Sequence, residues 1–100
     1  MEKFIYYNEL YLIYKDLLSE KEIDIFDLYY GDNLTMQEIA DNKNISKARV
    51  GVIIKNVEKK LDTLEKALKV FKLKEQLNEV IDLSDIKEIK KRLTDIVKGE

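Results

Sequence analysis

The part of this sequence best equipped for chemistry is a series of basic residues preceded by a hydroxyl. Its members are Ser46, Lys47, Arg49, Lys55, Lys59 and Lys60. Lysine and arginine bind the phosphates of a nucleic acid, and arginine also forms paired hydrogen bonds with guanine. A serine that begins a helix leaves backbone amides free to meet a phosphate. The pattern predicts a nucleic-acid-binding surface for DNA, with RNA as the other candidate.

The residue types on which most enzymes and metal sites depend are missing. The sequence has neither cysteine nor histidine, which removes the thiolate nucleophile, the commonest general base and the usual ligands of transition metals. Tyr11 and Lys15 have the spacing of a dehydrogenase pair, but no glycine-rich turn accompanies them, so we interpret that spacing as chance. We expect no enzyme, no catalytic residue, no metal and no cofactor. The scattered carboxylates are interpreted as a solvated acidic face: Asp16, Glu20, Glu22, Asp24 and Asp27.

The tyrosines admit two interpretations. They are Tyr6, Tyr7, Tyr11, Tyr14, Tyr29 and Tyr30. Exposed tyrosines stack on the bases of single-stranded RNA. Tyrosines at helical spacing more commonly fill the edge of a core and leave the hydroxyl in water. We favour the second interpretation for most of them.

The elements that must position these residues are helices. The sequence has no proline and only three glycines, so little in it interrupts a helix. Apolar residues at spacings of three and four predict a first helix over 2–17. Ser19 and Glu22 form a capping box that begins a second helix. Gly31 is expected to end that helix in a left-handed conformation.

Residues 34–54, LTMQEIADNKNISKARVGVII, have the features of a helix-turn-helix. A capping box at Thr35 begins a short helix that runs to about residue 42. Ala40 is the small residue needed where the two helices cross, Asn44 tolerates the left-handed turn, and Ser46 caps the second helix. The same fold retained for protein contacts, or for phosphate binding without base readout, is the alternative.

The motif assigns roles to the side chains of its second helix. The N-terminal half of that helix enters the major groove, which exposes Lys47, Ala48, Arg49, Gly51 and Val52 as readers. The flanking backbone phosphates are left to the other cations, Lys55, Lys59 and Lys60. Because glycine and valine form no paired contacts with bases, we expect modest sequence specificity.

The second helix of the motif is predicted to be long. Apolar residues from Val50 to Phe71 keep the three-four spacing of a coiled-coil seam, and the pattern then fails near residue 73, which predicts a kink or break. Such a seam needs a partner, so we expect a homodimer through this helix and the next, with the first helix as a further candidate contributor. Asp82 or Ser84 is predicted to cap a last helix that ends near residue 99.

These predictions describe an all-α protein with a long C-terminal extension. Residues 1–61 are expected to form the helix-turn-helix bundle. Residues 62–100 are expected to extend it, either within the same compact domain or as a dimerisation element. No run of apolar residues reaches the roughly 18 that span a bilayer, and the first residues do not resemble a secretory signal, so we expect a cytoplasmic protein.

The formal net charge of −2 conceals an uneven distribution. Residues 1–42 contain three basic and ten acidic side chains, residues 43–74 contain ten basic and three acidic, and residues 75–100 contain five basic and seven acidic. Such asymmetry indicates a surface that faces a polyanion. The alternative is a solvated lysine-rich helix that pairs with the acidic N-terminal block.

Three stretches carry a resemblance to a known family. They are NELYLIYKDLLSEKE at 8–22, DLYYGDNLTMQEIA at 27–40 and ISKARVGVIIKNVEKKL at 45–61. They resemble the YlxM-like proteins of low-GC Gram-positive bacteria and mollicutes, and the paired Tyr29 and Tyr30 are the most specific part of the match. Those proteins are similar to the promoter-reading fourth region of sigma factors.

The resemblance implies both a fold and a function. The fold is a helix-turn-helix bundle of the winged-helix-like or sigma region 4-like kind. The function is that of a small regulatory protein linked to the signal recognition particle pathway. A competing expectation is an interaction module that docks on the signal recognition particle or its receptor without contacting nucleic acid.

Overall fold

The computed structural model describes residues 2–99 as a series of helices. The α-helices are α1 (Lys3–Tyr14), α2 (Glu20–Phe26), α3 (Met36–Lys43), α4 (Lys47–Leu68), α5 (Val70–Ile81) and α6 (Ile86–Lys98). A 3₁₀ turn (Lys15–Leu17) follows α1, and a π-helical turn (Asp27–Gly31) follows α2. No strand occurs between residues 2 and 99, which confirms the all-α prediction and means that this part of the chain has no wing.

The chain divides into two compact units. The first runs to Ala67 and the second begins at Leu68. The expected boundary at residue 61 falls inside α4, because that helix continues without interruption to Leu68. The second unit consists of the end of α4 with α5 and α6, and α5 packs against α6.

The first unit has an apolar core to which every one of its helices contributes. Phe26 and Ile39 are fully buried, as are the inward residues of α4. The buried set is Leu10, Tyr11, Tyr14, Leu18, Ile25, Phe26, Tyr30, Ile39, Ala40, Val50, Ile53, Ile54, Val57 and Leu61. The three-four spacing of the α4 residues thus serves the core of the first unit, and it is not a free seam.

The predicted helix starts of the first unit are confirmed. The side chains of Ser19 and Thr35 each accept a hydrogen bond from the backbone N–H three residues later. The carboxylates of Glu22 and Glu38 in turn accept one from the backbone N–H of the cap residue. The helical segment ends at Gly31 as predicted, but the predicted left-handed conformation of Gly31 is wrong. Gly31 closes the π-helical turn without a positive φ, and the left-handed residue is Asn33 (φ 57°).

The turn of the helix-turn-helix has the predicted form. Asn44 is left-handed (φ 59°), which brings the N–H of Ile45 to 3.1 Å from the carbonyl oxygen of Ala40. This bond satisfies a carbonyl at the end of α3. Ser46 then accepts a hydrogen bond from the backbone N–H of Arg49 at 3.0 Å, which confirms it as the cap of α4.

The predicted positions of two later features are wrong. The long helix breaks at Lys69 and not near residue 73, because Lys69 adopts a left-handed conformation (φ 55°). The cap of α6 is Asp85, whose carboxylate accepts a hydrogen bond from the N–H of Lys87 at 2.8 Å. Asp82 and Ser84, the predicted caps, precede that helix.

Replacing Gly51 with alanine should stabilise the protein. Gly51 lies inside α4, where glycine costs roughly 1 kcal/mol relative to alanine. A Cβ there would lie 3.7 Å from Met36 Sδ, an ordinary van der Waals contact. We therefore expect Gly51→Ala to raise the free energy of unfolding by up to about 1 kcal/mol in chemical denaturation. Gly31→Ala, which is not in a helix interior, is the control and should change it less; equal gains would contradict the explanation.

Candidate nucleic-acid interface

The N-terminal half of α4 presents a basic outer face. Successive residues of an α-helix are turned by about 100° from one another. Val50, Ile53, Ile54 and Val57 are buried on the inner side, which turns the opposite side to solvent. The side chains exposed there and on its flanks are Lys47, Ala48, Arg49, Val52, Lys55, Asn56, Lys59 and Lys60. This face carries positive charge and little apolar surface.

The predicted site residues occupy three parts of this face. Lys47 lines a shallow depression of about 630 Å³ together with residues from α1 and the start of α3. Arg49 and Lys60 line a second depression of about 320 Å³ on the other flank, beside α2. By helical geometry Lys55 and Lys59 lie between these flanks and point outward. Ser46 precedes them at the helix start.

Lys60 differs from the other cations because it is held by a partner. Its Nζ lies 3.0 Å and 3.2 Å from the two carboxylate oxygens of Glu22. Burial opposes ionisation of Glu22, but hydrogen bonds from the Ser19 backbone N–H and from Lys60 outweigh it, so the pKa of this carboxyl is lowered. Part of the charge that we assigned to a DNA phosphate is thus engaged by α2.

A second ion pair joins the same two regions. Lys43, at the end of α3, pairs with Asp24 of α2. This position in a helix-turn-helix commonly holds an apolar residue, and here the half-buried lysine ends on a carboxylate. The acidic N-terminal block therefore neutralises two members of the basic block, while Lys47, Arg49, Lys55 and Lys59 remain exposed.

Tyrosine hydroxyls bind the acidic residues of α4. Tyr30 donates to Glu58 at 2.7 Å and Tyr7 donates to Asp62 at 2.7 Å. A third such bond, 2.6 Å long, runs from Tyr14 to Glu65. These three carboxylates are all the acids of residues 43–74, and all lie on the flank away from Arg49. The expectation that tyrosine hydroxyls stay in water is therefore wrong for these three.

The burial of the tyrosines agrees with a structural role for most of them. Tyr11, Tyr14 and Tyr30 are buried. Tyr30 stacks between Phe26 and Phe4, with ring centroids 4.3 Å and 4.5 Å away. This stack fixes the π-helical turn against α1. The predicted alternative, a set of stacking platforms for RNA bases, is not what these three rings provide.

Two features of the interface differ from the sequence-based prediction. Gly51 is half-buried and faces Met36 of α3, so it is not an exposed reader. Asn56, which the prediction omitted, lines the same depression as Arg49. Its position seven residues after Arg49 is the signal that was available, because residues seven apart share a helix face. An asparagine side chain forms paired hydrogen bonds with adenine.

The described residues contain neither a cluster of metal ligands nor a membrane-spanning helix. Within residues 2–99 there is no group of three or more histidine, cysteine, aspartate or glutamate side chains placed to hold a metal ion. None of the helices between those residues is both long and apolar enough to span a membrane.

Comparison with known proteins relates this chain to one family. Residues 1–98 match the model of the UPF0122 family, which is described as a family of YlxM / p13-like helix-turn-helix proteins. A UPF0122 protein of Mycoplasma capricolum is 38% identical over 89% of this chain and 79% of its own length. One from Ureaplasma parvum is 34% identical over 91% and 92%, and one from Clostridium acetobutylicum is 39% identical over 88% and 74%. The matched region covers both units.

Alkaline pH should destabilise the first unit. Burial and adjacent carboxylates raise the pKa of Tyr7, Tyr11 and Tyr30. A group with a raised pKa contributes its full stabilisation below its ordinary value, about 10 for tyrosine, and loses it above, because the unfolded chain ionises first. We expect the free energy of unfolding to fall as the pH rises above about 10, measured by chemical denaturation at graded pH.

Tyr30→Phe provides the matched test of this pH dependence. It removes the hydrogen bond to Glu58, so it should lower the free energy of unfolding by about 1 kcal/mol at neutral pH and weaken the alkaline dependence. Tyr29→Phe removes none of the hydrogen bonds described above and is the control. If tyrosinate absorbance showed all six tyrosines ionising together in the folded protein, the explanation would be wrong.

Proposed function

Because the chain belongs to the UPF0122 family of YlxM / p13-like helix-turn-helix proteins, we propose that it is a DNA-binding regulatory protein whose α4 lies against the nucleic acid. The observation that carries this proposal is the segregation of charge on α4. All three of its acids accept hydrogen bonds from tyrosine hydroxyls, and by helical geometry Arg49 lies on the opposite side of the helix, with Lys55 and Lys59 on the outer side between the two. A duplex on the outer side meets these cations while tyrosines engage the carboxylates of the same helix.

The positions of the site residues support separate roles for them, some as phosphate contacts and others as base contacts. Lys47 and the first backbone amides after Ser46 are placed for a phosphate at the start of α4. Lys55 and Lys59 are placed for phosphates farther along the helix. Arg49 and Asn56 share one depression and have the hydrogen-bonding groups that distinguish base edges.

The resemblance to YlxM-like proteins extends the proposal to a biological setting. We propose a regulatory role in the signal recognition particle pathway, exerted in the cytoplasm. Structured RNA is the alternative polyanion for the same face, since phosphate contacts do not depend on base sequence. Binding measured in parallel on duplex DNA and on a structured RNA of equal charge separates the two.

Docking on the signal recognition particle or its receptor is the second candidate function. An acidic depression of about 510 Å³ on α2 favours it, because it would accept a basic partner. Of its acids, Asp24 pairs with Lys43 and Asp27 accepts a hydrogen bond from Tyr11, which leaves Glu20 as the residue to change. Binding to purified particle or receptor that survives nuclease and is weakened by Glu20→Lys would support docking over nucleic-acid binding.

The salt dependence of DNA binding should identify the phosphate contacts. Each phosphate neutralised by a cation releases counterions, so Lys55→Ala or Lys59→Ala should reduce the slope of log K against log salt by roughly one unit. Lys60→Ala is the matched control on the same helix, and it should reduce the slope less because Glu22 already binds its ammonium. Fluorescence anisotropy with random duplex DNA over a salt series measures these slopes.

Glu22→Gln tests the same assignment in the opposite direction. Glutamine keeps the capping box and removes the charge that holds Lys60. We expect tighter binding at low salt and a slope increased by up to about one unit. Equal slopes for the lysine variants and the parent protein would contradict the proposed face. If duplex DNA and structured RNA both fail to bind folded protein at low salt, the nucleic-acid proposal falls.

Base readout should depend on Arg49. If Arg49 contacts a guanine, Arg49→Ala should weaken binding to the preferred sequence by about 1–3 kcal/mol and binding to random DNA much less. The preferred sequence is obtained by selection from a random duplex pool. Lys55→Ala should weaken both kinds of site about equally, because phosphate contacts are common to all sequences. If Arg49→Ala weakened binding to the preferred sequence and to random DNA equally, Arg49 would be a contact to the phosphate backbone and not to a base.

A further inference from the structure

The second unit exposes a continuous row of large aliphatic side chains. They are Leu68, Val70, Leu73, Leu77, Ile81, Ile86, Leu93 and Val97, each exposed by more than a third of its surface. Ile81 and Ile86, at the two ends of the α5–α6 connection, are 75% and 71% exposed. We call this set the α5–α6 apolar face. Leu68 is the last residue of α4. The members on α5 recur at spacings of three and four and those on α6 at spacings of seven and four, so each set shares one side of its helix.

The second unit buries few apolar side chains, so leaving the α5–α6 apolar face exposed to water is unfavourable. Of residues 68–99, Phe71 and Val80 are buried, and among the residues of α6, all of them described, none is. A pair of helices forms a single layer, and helical proteins bury their apolar stripes by packing one layer on another. Exposed apolar patches of this size mark interaction surfaces.

The exposed apolar residues of α1 do not form a comparable surface. Ile5 is 50% exposed and Leu12 is 65% exposed. Glu9 and Asp16 follow each of them by four residues on the same side of the helix. Single apolar side chains separated by carboxylates are normal on a solvated surface. On the α5–α6 apolar face, Lys74 and Lys90 follow Val70 and Ile86 by four residues, but further apolar members continue each stripe beyond them.

We propose that the α5–α6 apolar face is the dimerisation surface of this protein and that its occupant is the same face of a second copy. Two such hairpins make a four-helix bundle, which is the simplest arrangement that buries the stripes of all four helices. The eight side chains expose on the order of 700 Å², close to the ~800 Å² that each partner contributes to a stable interface.

The composition of the face also fits a helical partner. Its exposed members are all leucine, isoleucine or valine, the residues from which bundle cores are built. Aromatic residues, which favour the boundary of a lipid bilayer, are absent from these eight. The charged neighbours Lys74, Lys90 and Arg92 lie beside the stripes, where they stay in water as a polar rim. Arg92 also pairs with Glu79 and ties α6 to α5.

This surface differs from the predicted homodimer seam. Val57 and Leu61 of α4 are buried in the first unit and are not available to a partner. The dimer proposed here therefore uses α5 and α6. It does not rest on nucleic-acid binding, and a protein that failed every DNA assay would still be expected to dimerise.

Replacing the most exposed members of the face with lysine tests the proposal. The full chain should sediment as a dimer at micromolar concentration in analytical ultracentrifugation. Ile81→Lys and Ile86→Lys should each raise the dimer dissociation constant at least tenfold, because each places a charge inside an apolar interface. Leu12→Lys, an equally exposed aliphatic residue on α1, is the control and should leave it unchanged. Retained helical circular dichroism verifies that each variant is folded.

Three outcomes would overturn the proposal. The first is a monomer mass for the parent protein at every concentration tested. The second is an equal loss of dimer for Leu12→Lys and for the α5–α6 variants, which would place the interface elsewhere. The third is monomeric parent protein that floats with vesicles of anionic lipid and loses this binding in Ile81→Lys, which would assign the face to a membrane surface.

Discussion

Burial of the apolar side of α4 in the core determines which side of that helix faces solvent, and tyrosine hydroxyls engage the carboxylates beside it. A helix with six cations and three acids has no inherent interface, since mixed charges on one face cancel. Tyr7, Tyr14 and Tyr30 collect the three acids on one flank. Because a carboxylate beside a buried phenol is costly to leave unpaired, each bond also fixes the rotation of α4 about its axis. The basic face depends on this rotation.

The acidic block of the chain takes part in this arrangement in two ways. Glu22 and Asp24 bind Lys60 and Lys43, so the acidic block and the basic block are partly paired with each other. The pairing is incomplete, because Lys47, Arg49, Lys55 and Lys59 stay exposed. Exposed ion pairs of this kind contribute little to stability. Their main effect is to withdraw Lys43 and Lys60 from the exposed positive surface.

Local sequence signals predicted the elements of the first unit well and their partners poorly. The capping boxes at Ser19 and Thr35 and the left-handed turn at Asn44 are determined within a few residues, and the structure agrees with them. The tyrosine bonds to α4 join residues about 30 to 55 positions apart, and no periodicity reports such pairings. The helix break at Lys69 is the feature that the sequence predicted least well. Lysine rarely adopts the left-handed conformation, so its residue type gives no signal of a break there.

The same limitation explains why the sequence assigned the whole stripe from Val50 to Phe71 to a homodimer seam, although Val57 and Leu61 are buried within the first unit. A three-four apolar stripe is identical whether it packs within one chain or between two. Val57 and Leu61 are buried in a unit with several helices to cover them, whereas the second unit buries only Phe71 and Val80 among residues 68–99. In the proposed DNA-binding role, α4 has few side chains that read bases, so one copy of the protein discriminates little between DNA sequences. Two copies held together bind two half-sites at a fixed separation, so the spacing of the sites adds selectivity that the side chains of α4 do not supply.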